Sequence, residues 1–165
     1  MKFTYKTLGS DDAETWMRLR LEAVCAQPLG FLITEEEARQ MSLEDVGKIL
    51  EFGSSRGVFA DGELVGSCGI RYQKLERLRH AAEVGPFFVA SQFHGSGAAQ
   101  ALMRGVATEA REAKVERLEL HVDSENERAI RFYEKLGFQY VLTLHDHVRI
   151  DGQPRSDHLY RLALE

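Results

Sequence analysis

Two stretches of this 165-residue chain carry residues whose types and spacing could do chemistry. In the first, the apolar run Phe87-Phe88-Val89 leads into His94-Gly95-Ser96-Gly97-Ala98-Ala99, and helix formers such as Ala101 and Leu102 follow. Gly95 and Gly97 permit positive φ and a close backbone approach. A glycine turn at a helix start aims several unpaired N–H groups at one spot, where the helix dipole favours negative charge. A phosphate suits that spot. A plain strand-to-helix turn has the same spacing, and Gly-x-Gly alone does not choose between the two. The second stretch, Asn126 to Phe138, reads as a short helix closed by Gly137, with Phe132 and Tyr133 on it. A tyrosine there is either a proton donor at neutral pH or a ring packed in the core.

These residues need elements to hold them. Phe3 to Leu8 alternates as a first strand, and Ser10-Asp11-Asp12 caps a helix running to about Cys25. Thr34 and Glu37 form a capping-box pattern for a second helix, and Ser42 starts a third that runs to about Phe52. The acidic run Glu35-Glu36-Glu37 suits a helix N-terminus; it would also attract a cationic substrate. Arg56 to Ala60 and Glu63 to Arg71 form a hairpin around Asp61-Gly62, a pair that favours a type I′ turn. A polar crossover from Tyr72 leads to the central strand, His80 to Val89. Proline cannot donate to a strand ladder, so Gly85-Pro86 predicts a β-bulge in that strand. A bulge would leave main-chain groups of Phe88 and Val89 free; an edge strand is the alternative. A helix from Gly95 to about Ala113 and a strand from Arg117 to Val122 complete a βαβ unit, so these two strands should be parallel. Phe138 to Ile150 is a long strand, Asp151-Gly152 turns it, and His158 to Leu164 returns antiparallel. Glu83, Glu119, His121 and His80 fall on the central strands, where each could take up a proton or simply face the rim.

Length and composition fit one domain over residues 1–165 with a real core. A net charge of −5 gives no basic footprint for nucleic acid. No apolar run is long enough for a membrane span. Met1 to Lys6 lacks a signal-peptide core, so a cytoplasmic location is expected. Cys25 and Cys68 read as reduced thiols without metal-ligand spacing, and no metal is expected.

Taken together, the two stretches resemble the GNAT family of N-acetyltransferases. In that family a strand feeds an (Arg/Gln)-x-x-Gly-x-(Gly/Ala) turn, and an Asn-x-x-Ala-x-x-x-Tyr-x-x-x-Gly-Phe helix comes later. Here the turn reads His94-x-x-Gly97-x-Ala99, with histidine departing from the first position. The helix matches at Asn126, Ala129, Tyr133, Gly137 and Phe138. The resemblance implies an α/β (α+β) fold: a mixed, mostly antiparallel twisted sheet of about seven strands. Helices would flank both faces, and a V-shaped splay would separate two central parallel strands. It implies acetyl-CoA as cosubstrate. The pyrophosphate would lie on the main chain of His94, Gly95, Ser96, Gly97, Ala98 and Ala99, and the pantetheine arm beside Phe88 and Val89, with Asn126 and Phe132 completing the cofactor site. His94 would add a pH-dependent contact or stand idle.

The implied reaction moves an acetyl group from thioester to amine. Tyr133 would protonate the leaving thiolate. Glu83 would act as base toward the amine, directly or through water, with His121, Glu119 and His80 as rivals. No serine or cysteine stands in a nucleophile setting, which fits direct transfer. Pro28-Leu29-Gly30-Phe31 with Thr34 to Glu37 resembles the acceptor-side segment of many bacterial members. The acceptor would be a primary amine of a small molecule or peptide, and the enzyme a monomer or homodimer. A non-catalytic CoA-binding module on the same fold and an interaction protein without cofactor are the alternatives.

Overall fold

A computed structural model describes all residues, Met1 to Glu165. Seven strands form one sheet in the order β1-β2-β3-β4-β5-β7-β6. They are β1 (Phe3–Thr7), β2 (Ser55–Ala60), β3 (Glu63–Tyr72), β4 (Ala81–Val89), β5 (Arg117–Asp123), β6 (Gln139–Ile150) and β7 (Gln153–Ala163). Five α-helices flank the sheet: α1 (Ala13–Ala26), α2 (Glu35–Gln40), α3 (Leu43–Glu51), α4 (Ala98–Glu112) and α5 (Glu127–Lys135). The pairs β1–β2, β2–β3, β5–β7 and β6–β7 are antiparallel, whereas β4–β5 is parallel, as its helical crossover requires.

The chain gathers into two compact units, one of Met1–Arg71 with Pro86–Glu109 and the other of Tyr72–Gly85 with Ala110–Glu165. The first unit has its core under α1. Trp16, Leu19, Ala23 and Val24 bury against Leu8, Phe31, Val46, Leu50, Leu64 and Phe88. The Trp16 indole keeps its polar end satisfied by donating to Ser67 Oγ at 3.0 Å. The capping box forms as the spacing predicts: Glu37 N donates to Thr34 Oγ1 at 3.1 Å, and Thr34 N to Glu37 Oε2 at 2.7 Å. Asp61 and Gly62 adopt φ of 49° and 90°, the double positive φ of a type I′ turn.

Gly105 brings α4 onto β1. A Cβ there would lie 2.3 Å from the Tyr5 ring, and the ring is held in place because its hydroxyl donates to Glu109 Oε2 at 2.6 Å. Glu109 in turn takes buried Arg56 at 2.8 and 2.7 Å. Gly105→Ala is therefore expected to lower unfolding free energy by about 1–3 kcal/mol, the range for overpacking. Urea denaturation checks this, and an unchanged midpoint would mean that Tyr5 moves aside without cost.

In the second unit, Leu118, Leu120 and Val122 of β5 are buried with Tyr160 of β7 and Tyr133 and Phe138 around α5. Strand β7 begins at Gln153, five residues before the expected His158. Its polar opening, Gln153-Pro154-Arg155-Ser156, has no strand pattern of its own and is extended because β6 pairs with it.

Candidate functional site

In the first unit β4 ends at Val89 and a short 3-10 turn, Ser91–Phe93, carries the chain to His94. Gly95 and Gly97 both take positive φ, 78° and 96°, a conformation that favours glycine at each. Helix α4 begins only at Ala98, so the expected helical start at Gly95 is corrected: residues 94–97 are the turn itself. Several of its amides are already spoken for. His94 N donates to Ser91 O, and Ser96 N to Phe93 O. Ser96 Oγ donates to Phe93 O at 2.6 Å and accepts from Ala98 N at 3.2 Å. The donors this turn presents are the amides of Gly95, Gly97, Ala99 and Gln100, at a helix N-terminus where an anion is favoured.

His94 is neither idle nor aimed outward. Its Nε2 lies 2.9 Å from the carbonyl oxygen of Val89, which can only accept, so Nε2–H donates. The imidazole thus straps the turn to the end of β4. The same bond takes the Val89 carbonyl, one of the main-chain groups expected to be free at Phe88 and Val89. On β3, Gly66 leaves room for this segment: a Cβ there would lie 2.9 Å from the Val89 side chain and 3.2 Å from the Phe88 carbonyl oxygen.

In the second unit the parallel register of β4 with β5 runs from Ala81↔Arg117 to Glu83↔Glu119. Gly85 follows with φ 154°, a backbone conformation that favours glycine. Asn126 caps α5, its Oδ1 accepting from Ala129 N at 3.2 Å. Tyr133 on that helix is 7% exposed, with its ring 5.4 Å from Phe132 and 5.7 Å from Phe138. Gly137 closes the helix at φ 94°. The helix motif therefore has a structural reading residue by residue: cap, packed ring, closing glycine.

The candidate bases differ in their surroundings. Glu119 accepts from both Arg117 and Arg161 at 2.8 Å, both through Oε1. Glu83 lies opposite it in the register, half-buried. The main-chain carbonyl of His80 accepts from Glu116 N and Arg117 N, which places it at the start of the parallel pair. His121 stands apart from these. With His147 and Asp157 it forms a cluster whose potential ligand atoms all lie within 4.8 Å of one another. Burial pushes the Asp157 carboxyl up, against the opposing pull of His147. Sequence reasoning missed His147 and Asp157, since nothing in their spacing links them to His121.

With this geometry in hand, comparison with known proteins is direct. The acetyltransferase (GNAT) family model matches residues 13–138. A structure of an N-acetyltransferase from Staphylococcus aureus Mu50 superposes with a TM-score of 0.84 at 15% identity, covering 100% of both chains. A structure from Salmonella typhimurium, of an acetyltransferase with its cofactor acetyl-CoA, superposes at 0.80 with 16% identity over 99% of this chain and 94% of that one. Both share the fold. The chain belongs to the GNAT acetyltransferase family. It is also 29% identical over 135 residues to the mycothiol acetyltransferase of Propionibacterium freudenreichii subsp. shermanii, matching 81% of this chain but only 42% of that protein's length.

Proposed function

We propose that residues 1–165 act as one acyl-CoA-dependent N-acetyltransferase domain, moving an acetyl group from acetyl-CoA directly to a primary amine of a small molecule or peptide. The observation that carries this reading is the turn at 94–99. Two glycines at positive φ and four presented amides stand at the start of α4, in a chain of the GNAT family. Gly95, Gly97 and Ala99 would hold the pyrophosphate by main-chain N–H groups, with Gln100 beside them. Ser96 and Ala98, bonded to each other, would shape the turn, and His94 would fix it to β4. Phe88 and Val89 would flank the pantetheine arm, and the Val89 carbonyl is engaged by His94. Asn126 and Phe132 would border the arm from α5.

The amine must be neutral to attack, and the departing thiolate gains from a proton. Tyr133 would supply that proton, and its packed ring would fix the direction of the hydroxyl. Glu83 would take the proton of the amine, directly or through water. Glu119, His121 and His80 remain its rivals for that role. The acidic first turn of α2 serves its own helix, with Glu35 paired to Arg39 at 2.7 Å.

Calorimetric titration with acetyl-CoA separates this reading from an interaction protein, which would give no saturable heat. Thiol release across amines, amino acids, polyamines, aminoglycosides and peptide N-termini separates it from a binding module, which would release none.

A further inference from the structure

The cluster of His121, His147 and Asp157 is built by an irregularity in β6. The register of β6 with β7 passes from Leu144↔Asp157 to Val148↔Arg155, so His145, Asp146 and His147 face the single residue Ser156. Asp146 takes φ 49°, a left-handed conformation. Arg149 clamps it through both carboxylate oxygens at 2.9 and 2.6 Å. Such bulges re-aim side chains. This one carries His147 Nε2 to 3.8 Å from Asp157 Oδ2 and sets the His147 ring edge-on to that of His121 at 5.4 Å. His121 and Asp123 are two residues apart on β5 and share a face, and Asp157 lies opposite Asp123 across the β5–β7 ladder.

The charges leave a carboxylate in want of a cation. Arg155 takes Asp123 through both oxygens, at 2.9 and 2.7 Å, and also Glu125 at 2.5 Å, so its one charge is already shared between two carboxylates. His158 is engaged with Thr143 at 2.8 Å. Asp157 is 9% exposed and faces two imidazoles, with no arginine of its own. A buried carboxylate is costly unless it is paired or bound to a metal. Two imidazoles and one carboxylate form a donor set that suits zinc and its first-row neighbours far better than magnesium or calcium. Bonds of about 2.0–2.1 Å place tetrahedral ligands about 3.4 Å apart. The His147–Asp157 distance is near that, all potential ligand atoms lie within 4.8 Å of one another, and both imidazoles are exposed.

We infer that His121, His147 and Asp157 bind one divalent transition-metal ion, with a fourth position open to solvent or to a small ligand. The site is independent of the acetyl-transfer reading, and two of its three residues lie beyond residue 138, outside the segment that matches the family model. Zinc is the probe. Calorimetric titration of the chelator-treated full chain with zinc chloride is expected to give one ion per chain. His147→Ala and Asp157→Asn should each weaken binding by about 10²-fold, at least the loss seen when a metal ligand's supporting partner is removed. His145→Ala, on the same bulge but turned toward Ser156 Oγ at 3.3 Å, should bind as the unaltered chain does. A readout that needs no variant is the imidazole nitrogen resonances of the unaltered chain. Zinc should shift those of His121 and His147 and leave those of His145 in place. Absence of saturable uptake, or unchanged resonances at both histidines, would overturn the site and leave a histidine–carboxylate proton pair in its place. Equal zinc affinity in His147→Ala and the unaltered chain would overturn it equally.

Discussion

Replacing Tyr133 by phenylalanine is expected to lower kcat by about 10²-fold or more, within the range for a lost general acid, while acetyl-CoA affinity is nearly unchanged. The ring is 7% exposed and packs on Phe132 and Phe138, and phenylalanine keeps that packing. Only the hydroxyl goes. On the proposed reading the cofactor is held by amides of the 94–99 turn, none of which the substitution touches. The loss should therefore belong to the chemical step, appearing in kcat and kcat/KM alike. It should shrink with an acyl donor whose leaving thiol has a lower pKa, since a better leaving group needs the proton less. Normal turnover by Tyr133→Phe with acetyl-CoA and the best acceptor would make Tyr133 a packing residue.

Gly97→Glu is expected to abolish saturable heat on titration with acetyl-CoA. A carboxylate there would stand among the presented amides and repel the pyrophosphate. Gly97 has φ 96°, so any side chain strains the backbone, although a Cβ would meet Phe3 only at an ordinary 3.7 Å. Gly97→Ala is the control for that strain. It carries the same backbone cost without the charge, and it should retain measurable binding and fold by circular dichroism. If Gly97→Glu folds and binds acetyl-CoA with unchanged affinity, the turn is not the pyrophosphate site.

The order of elements was legible in the sequence because local signals and tertiary demands agreed. Thr34 with Glu37, Asp61-Gly62 and Asn126 each sit where their own chemistry places a cap or a turn. Disagreement arose where a partner strand decided the conformation. The first residues of β7 are polar and include Pro154, so no alternation marks them, yet β6 holds them extended. The glycine turn was legible as a turn, but its internal bonding was not. That Ser96 would consume the Ala98 amide, and that His94 would reach back to Val89, depends on side-chain directions that spacing does not give. The histidine–aspartate cluster was out of reach for a similar reason. It needs the β5–β7 register and a bulge in β6, and both are set by long-range pairing.

Transfer of a labelled acetyl group tests the central claim most directly. The chain would be incubated with acetyl-CoA labelled in its acetyl carbons and with the amine that gives the fastest thiol release. Mass spectrometry would then follow both the amine and the protein. The account predicts label on the amine nitrogen, thiol released in equal amount, and no labelled protein intermediate. Thiol release without a labelled amine, or label lodged on the chain itself, would contradict direct N-acetyl transfer.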